Sequence, residues 1–187
     1  MLYLSKGMII KESISEQMRV NLCGIDYVLS GIGARLWLNG RWRVHEVYSA
    51  DEVKHLHKLQ ELGLVEISED TGSVAAYALL THCIICPAQI KQFHYPKSKM
   101  EKSVWIWISQ SGLRLTIGEL VKLFDSEIIP DASLLGKANA QELTLAIYSP
   151  DIAFDSLLEI QMEKSVYRDE VVAAVLGLLK KKHIILL

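Results

Sequence analysis

Cys83-Ile-Ile-Cys86, with His82 beside it and His94 downstream, is the spacing in this chain best suited to metal or redox chemistry. Paired thiolates two residues apart can share a zinc ion or cycle as a disulfide. A closed zinc site needs four ligands, yet the remaining cysteine, Cys23, is far off in the sequence and no second Cys-x-x-Cys occurs. The isoleucines between the pair suit a buried apolar segment, where a thiol behaves as a small hydrophobe. The expectation is two packed cysteines, no metal and no cofactor.

Catalytic signatures are missing as well. The sequence contains no Gly-x-Ser-x-Gly elbow, P-loop, dinucleotide fingerprint or His-Glu-x-x-His. Gly31-Ile-Gly33-Ala34 is too short to cradle a phosphate and reads as a tight strand-to-helix turn. His45, His55 and His57 lie near Glu46 and Glu52, a combination ordinary on helix surfaces. The residues point to recognition, not to an enzyme.

Composition narrows the class. Of 187 residues, 50% are hydrophobic and 22% charged, enough for a packed core and outside the range of disordered chains. Twenty Lys and Arg against 22 Asp and Glu leave a charge of -2, without the basic excess that drives non-specific binding to phosphate backbones. Three cysteines and no basic-then-apolar opening segment point to a reducing cytoplasm. The most apolar stretch, Val74 to Ala88, is broken by Thr81, His82 and Pro87, so no membrane span is expected.

These residues have to be positioned by local elements that the periodicity outlines. Met18 to Cys23 alternates apolar and polar residues, and Gly24 to Asp26 supplies a turn before Tyr27-Val28-Leu29, which predicts a β-hairpin. Ile32 to Leu38 reads as a short helix stopped by Asn39-Gly40. Ser49 and Glu52 have the spacing of a capping box, and Val53, Leu56, Leu59 and Leu62 continue as a helix that Gly63 ends before the strand Leu64 to Ile67. Glu69 to Gly72 reads as a turn. Ser73 to Cys86 fits either a returning strand or a helix.

From Gln89 to Ser103 the chain is polar and lysine-rich without a period, which places a boundary between modules 1–95 and 96–187. Val104-Trp-Ile-Trp-Ile108 predicts a strand with Trp105 and Trp107 on one face, where they could stack on bases or cap a peptide but more simply fill a core between the modules. Thr116 to Phe124 predicts an amphipathic helix with Ile117, Leu120, Val121 and Phe124 on one side. Asn139 and Glu142 make a second cap-like pair before a helix through Leu143, Leu145, Ile147 and Tyr148 that Ser149-Pro150 ends. Helices over Asp155 to Met162 and Asp169 to Lys182 precede a final strand, Ile184 to Leu187. A weak internal repeat aligns Leu56, Leu59, Gly63, Leu64, Val65 and Ile67 with Leu176, Leu179, His183, Ile184, Ile185 and Leu187.

Short helices in threes, a longer last helix and a closing strand resemble winged helix-turn-helix modules, over Asn139 to Leu187 and over Met8 to Ile67. Leu29-Ser-Gly31, Leu36-Trp-Leu-Asn-Gly40, Val44-His-Glu-Val47 and the Ser49 to Leu62 helix also resemble the small peptide-chaperone domains of the pyrroloquinoline quinone type, known as recognition elements for ribosomally made peptide natural products. That resemblance implies that a precursor leader peptide adds as a strand beside the third strand, with side chains entering a groove against the last helix. Tyr27, Val28 and Leu29 would then form the edge, and Lys54, His57, Lys58 and Glu61 the groove.

The alternative is a DNA-binding transcription regulator acting as a homodimer. Tyr167 and Arg168 would open a recognition helix and Lys180, Lys181 and Lys182 would touch phosphates, although Asp169 and Glu170 would face the same polyanion. The apolar end Ile184 to Leu187 could instead extend a partner's sheet in a larger assembly. The expected fold is α+β, two winged-helix-like modules with short antiparallel hairpins. The expected function is recognition of a peptide or partner protein.

Overall fold

The computed structural model describes residues 1–12, 17–89, 96, 98–148, 152 and 154–187. They form two compact units, Met1–Cys83 with Ile185–Leu187, and Ile84–Ile184. Both His94 and Ser149-Pro150 lie outside the described residues. The chain is α+β with small antiparallel sheets.

In the first unit, β2 (Met8–Glu12), β3 (Gln17–Leu22) and β4 (Ile25–Ser30) form an antiparallel sheet in the order β2-β3-β4. Cys23 and Gly24, both at positive φ (51° and 91°), close the β3–β4 hairpin, as a primed two-residue turn requires. The register sets Met18 opposite Leu29, Val20 opposite Tyr27 and Leu22 opposite Ile25. These pairs share the face that enters the core, which is the alternation seen in the sequence.

A second sheet was not visible in the sequence. In it β1 (Leu2–Ser5) lies between β5 (His45–Glu46) and β6 (Val65–Ser68). Three helices complete the unit: α1 (Gly31–Gly40), α2 (Ala50–Glu61) and α3 (Gly72–Thr81). Tyr3, Val20, Leu36, Trp37, Leu56, Leu59, Leu64 and Val65 form its buried core. Ser73 to Cys86 resolves into α3 and then β7 (Ile85–Pro87). Ala75, Ala76, Leu79 and Leu80 are buried helix formers, so propensity and burial agree over that stretch.

The second unit is built on helices. They are α4 (Lys99–Gln110), α5 (Ile117–Asp125), α6 (Ala140–Ile147, entered through a 3₁₀ turn), α7 (Asp155–Met162) and α8 (Arg168–Lys180). Helix α4 corrects the strand expected at Val104 to Ile108. Ser98 Oγ accepts the Glu101 N–H at its start, and Val104, Trp107 and Ile108 are buried at the i, i+3, i+4 spacing of a helix face. Trp107 is fully buried and Trp105 only partly, so the two indoles do not share a face. α4 packs on α8 and α5 on α7, and β8 (Ile184–Leu186) leaves this unit to end in the first.

Both expected N-terminal caps at Ser49 and Asn139 are corrected. Neither residue makes a side-chain cap bond, although each stands at the N-cap position. Glu52 instead receives Arg35 at 2.8 Å, and Asn139 Nδ2 donates to the Ala132 and Leu135 carbonyls. The capping box that does form joins Thr116 and Glu119 on α5.

Helix ends carry the repeat, one residue out of the expected register. At the end of α2, Gly63 N–H donates to Gln60 O and Leu64 N–H to Leu59 O; at the end of α8, Lys182 donates to Leu179 and His183 to Leu178. Gly63 therefore corresponds to Lys182 and Leu64 to the buried His183. A third copy of this Schellman pattern ends α5, where Glu127 donates to Phe124 and Ile128 to Leu123. Gly63, Glu127 and Lys182 all have left-handed φ (71°, 51° and 61°). Replacing exposed Glu127 by glycine should stabilise the protein by about 1 kcal/mol, and Gly63→Ala should cost a similar amount, because a Cβ costs ~1–2 kcal/mol in this conformation. Urea denaturation of the two variants checks both signs.

Candidate functional site

β4 is an edge strand. It pairs with β3 on one side, and among the described residues no strand pairs with the other. A two-residue loop makes Leu22–Ile25 a hydrogen-bonded pair, so alternation turns the main-chain groups of Asp26 and Val28 toward the open edge. Of the edge residues expected from sequence, Leu29 is buried in the core, Tyr27 packs against it partly buried, and Val28 is 58% exposed on the opposite face.

Ile25 is a surface residue that sequence reasoning missed. It lies on the core-facing side opposite Leu22, yet 58% of it is exposed. Its signal was the every-second-residue series Ile25, Tyr27, Leu29, which continues the core face into the turn. Leu22 Cδ2 lies 3.7 Å from where a Cβ on Gly63 would stand, so the turn end of the hairpin meets the end of α2.

The expected groove residues are not brought to that edge. Lys54, His57, Lys58 and Glu61 form one exposed stripe of α2, on the side turned away from buried Leu56 and Leu59. His57 Nδ1 is within hydrogen-bonding distance of Gln60 Oε1 at 3.4 Å, on the same surface.

The residues assigned to DNA lie at the two ends of α8. Tyr167 stands at the N-cap with its ring against Phe124, at a centroid separation of 6.5 Å. Arg168 donates to the Asp169 carboxylate and the Glu163 carbonyl. Lys181 pairs with Glu101 of α4, Lys182 occupies the left-handed position after the helix, and Lys180 is exposed. Val171, Val172, Ala174, Val175, Leu178 and Leu179 are buried, so most of the helix surface packs inside its own unit.

Cys83 Sγ donates to the Leu79 carbonyl at 3.2 Å, and burial pushes its thiol up to about 12, so the thiolate that metal binding and redox chemistry require is disfavoured. Cys86 is buried too, and among the described residues no group of His, Cys, Asp and Glu could hold a metal. Nearby, Lys6 bridges the Glu66 carboxylate and the His82 carbonyl. This contact ties together the ends of β1, β6 and α3. Among the described residues no helix is long and apolar enough to cross a membrane. A maleimide reagent should label exposed Cys23 quickly in the native protein and Cys83 and Cys86 at least about 100-fold more slowly, since reaction there waits on local opening. Mass spectrometry of labelled peptides over time reads the three rates.

No protein-family model, no curated protein and no solved structure matches this chain significantly.

Proposed function

We propose that this chain is a non-enzymatic recognition protein that binds an extended peptide segment, of a precursor peptide or a partner enzyme, as an added strand beside β4. The observation that carries the reading is the open edge of β4, with outward main-chain groups at Asp26 and Val28 and an exposed apolar side chain at Ile25. Strand addition draws affinity from such main-chain groups and specificity from the side chains between them. Within the first unit, the consecutive strands β2, β3 and β4 followed by α1 and α2 support the likeness to peptide-chaperone domains, while β1, β5 and β6 form a second sheet outside that pattern.

The groove assignment changes within this reading. The added strand pairs in the plane of the sheet with the outward main-chain groups of Asp26 and Val28, beside the exposed side chain of Ile25, and Lys54, His57, Lys58 and Glu61 lie away from it on the outer surface of α2. Of the two stretches with winged-helix likeness, Asn139 to Leu187 and Met8 to Ile67, only the second has a β-hairpin beside its helices among the described residues. Against DNA stand the carboxylate partners of Arg168 and Lys181 and the acidic first turn of α8.

Val28→Pro tests the edge. It deletes one outward N–H, a position where an edge strand accepts proline, so the fold should survive. Peptides selected from a random displayed library on the immobilised protein should bind the variant at least about tenfold more weakly, which corresponds to ~1.4 kcal/mol. Unchanged affinity with an intact circular dichroism spectrum overturns the strand-addition reading. Binding of a labelled DNA duplex that weakens steeply with salt, and with Lys181→Ala plus Lys182→Ala, would put DNA in its place.

A further inference from the structure

Helix α5 begins with a carboxyl group that faces another carboxyl group across a single hydroxyl. Glu119, 9% exposed, accepts the Thr116 N–H on Oε2 at 2.7 Å as part of the capping box. Its other oxygen, Oε1, is 3.2 Å from the Tyr148 hydroxyl. The same hydroxyl lies against Asp155 Oδ1 at the start of α7. A phenol has one proton to donate, so it cannot satisfy two ionised carboxylates.

One arrangement satisfies all three groups. Asp155 accepts a hydrogen bond from the Tyr148 O–H, and Glu119, neutral, donates a hydrogen bond from a protonated Oε1 to the Tyr148 oxygen. We propose that Glu119, Tyr148 and Asp155 form a proton-dependent clasp that holds the end of α6 and the start of α7 on α5 while Glu119 is protonated, and loosens when it ionises.

The surroundings favour the neutral acid. Burial and, less strongly, the Asp155 charge push the Glu119 carboxyl up to about 7, against the Thr116 hydrogen bonds, which pull it down. From α7, Glu159 also reaches this turn, its Oε1 accepting the Gly118 N–H at 3.1 Å. Helices α6 and α8 also pack on α5, and their buried side chains are apolar. On α5 itself the other charged residues, Lys122 and Asp125, come later in the helix.

Because the clasped state raises the carboxyl's pKa, the protection it gives is complete below the ordinary value of 4.5, falls as pH rises toward about 7, and is flat above. Hydrogen exchange of the amides in α6 and α7, corrected for intrinsic rates, should be about tenfold faster near pH 8 than near pH 6. Glu119→Gln keeps a donor toward Tyr148 and cannot ionise, so its α6 and α7 should stay protected at both pH values. Tyr148→Phe removes the shared hydroxyl and should speed exchange of α6 and α7 near pH 6, where the clasp is closed. Equal corrected exchange in the unaltered protein, or a pH difference that persists in Glu119→Gln, overturns the clasp. Carbon-13 titration of the Glu119 carboxyl provides a readout independent of either variant: a midpoint near 7 supports the clasp, and one below about 5 refutes it.

Discussion

A phenol without access to water fixes the first unit. Tyr3 is completely buried in the middle strand of its sheet, and its hydroxyl donates to the Leu36 carbonyl at 2.8 Å. The bond is reciprocated from the helix side, where the Trp37 indole N–H donates to the Lys6 carbonyl at 2.9 Å. Between them these contacts bind β1 to α1 through groups that would be costly to bury unpaired. They leave no space for a side chain at Gly40, where a Cβ would stand 2.5 Å from Tyr3 Cε2. Burial raises the ionisation of the Tyr3 hydroxyl above its ordinary value, which keeps it a donor at any physiological pH.

The neighbouring elements depend on that anchor. Ser30, the last residue of β4, is also the N-cap of α1, and Gly31 makes the turn between them at φ 55°. Strand and helix therefore share a joint with no linker, and fixing α1 fixes the edge of the sheet. In the second unit polar side chains serve the same joining role. Glu101 of α4 meets Lys181 beyond α8, and the Glu119 carboxyl closes the start of its own helix.

Local patterns were legible where local physics decided the outcome. The β3–β4 hairpin, α2, α5, α7 and the helix-then-strand endings could be read because alternation, helical stripes and a left-handed glycine are all short-range signals, whereas the Thr116–Glu119 box on α5 went unread. Val104 to Ile108 misled because its alternating tryptophan and isoleucine mimic a strand, whereas the deciding features were a cap at Ser98 and burial at 104, 107 and 108. The box at Ser49 failed because Arg35, from another helix, competes for Glu52. β1 escaped notice because its four residues carry no alternation and are placed by pairing with Glu66 and Ile67, far along the chain. The edge position of β4 is likewise a property of the strand order β2-β3-β4 among the described residues, and no residue within β4 encodes that.

The first unit is discontinuous: it claims Ile185–Leu187, and the Leu186 carbonyl accepts the Gly7 N–H at 2.8 Å. During synthesis, residues 1–83 leave the ribosome while this last piece has not yet been made, and the whole second unit is translated before it appears. The N-terminal unit must therefore wait as an incomplete fold, with Gly7 unpaired at that bond, until residues 185–187 emerge. Its closure comes late relative to its own synthesis, and the rate at which it becomes complete is coupled to production of the second unit.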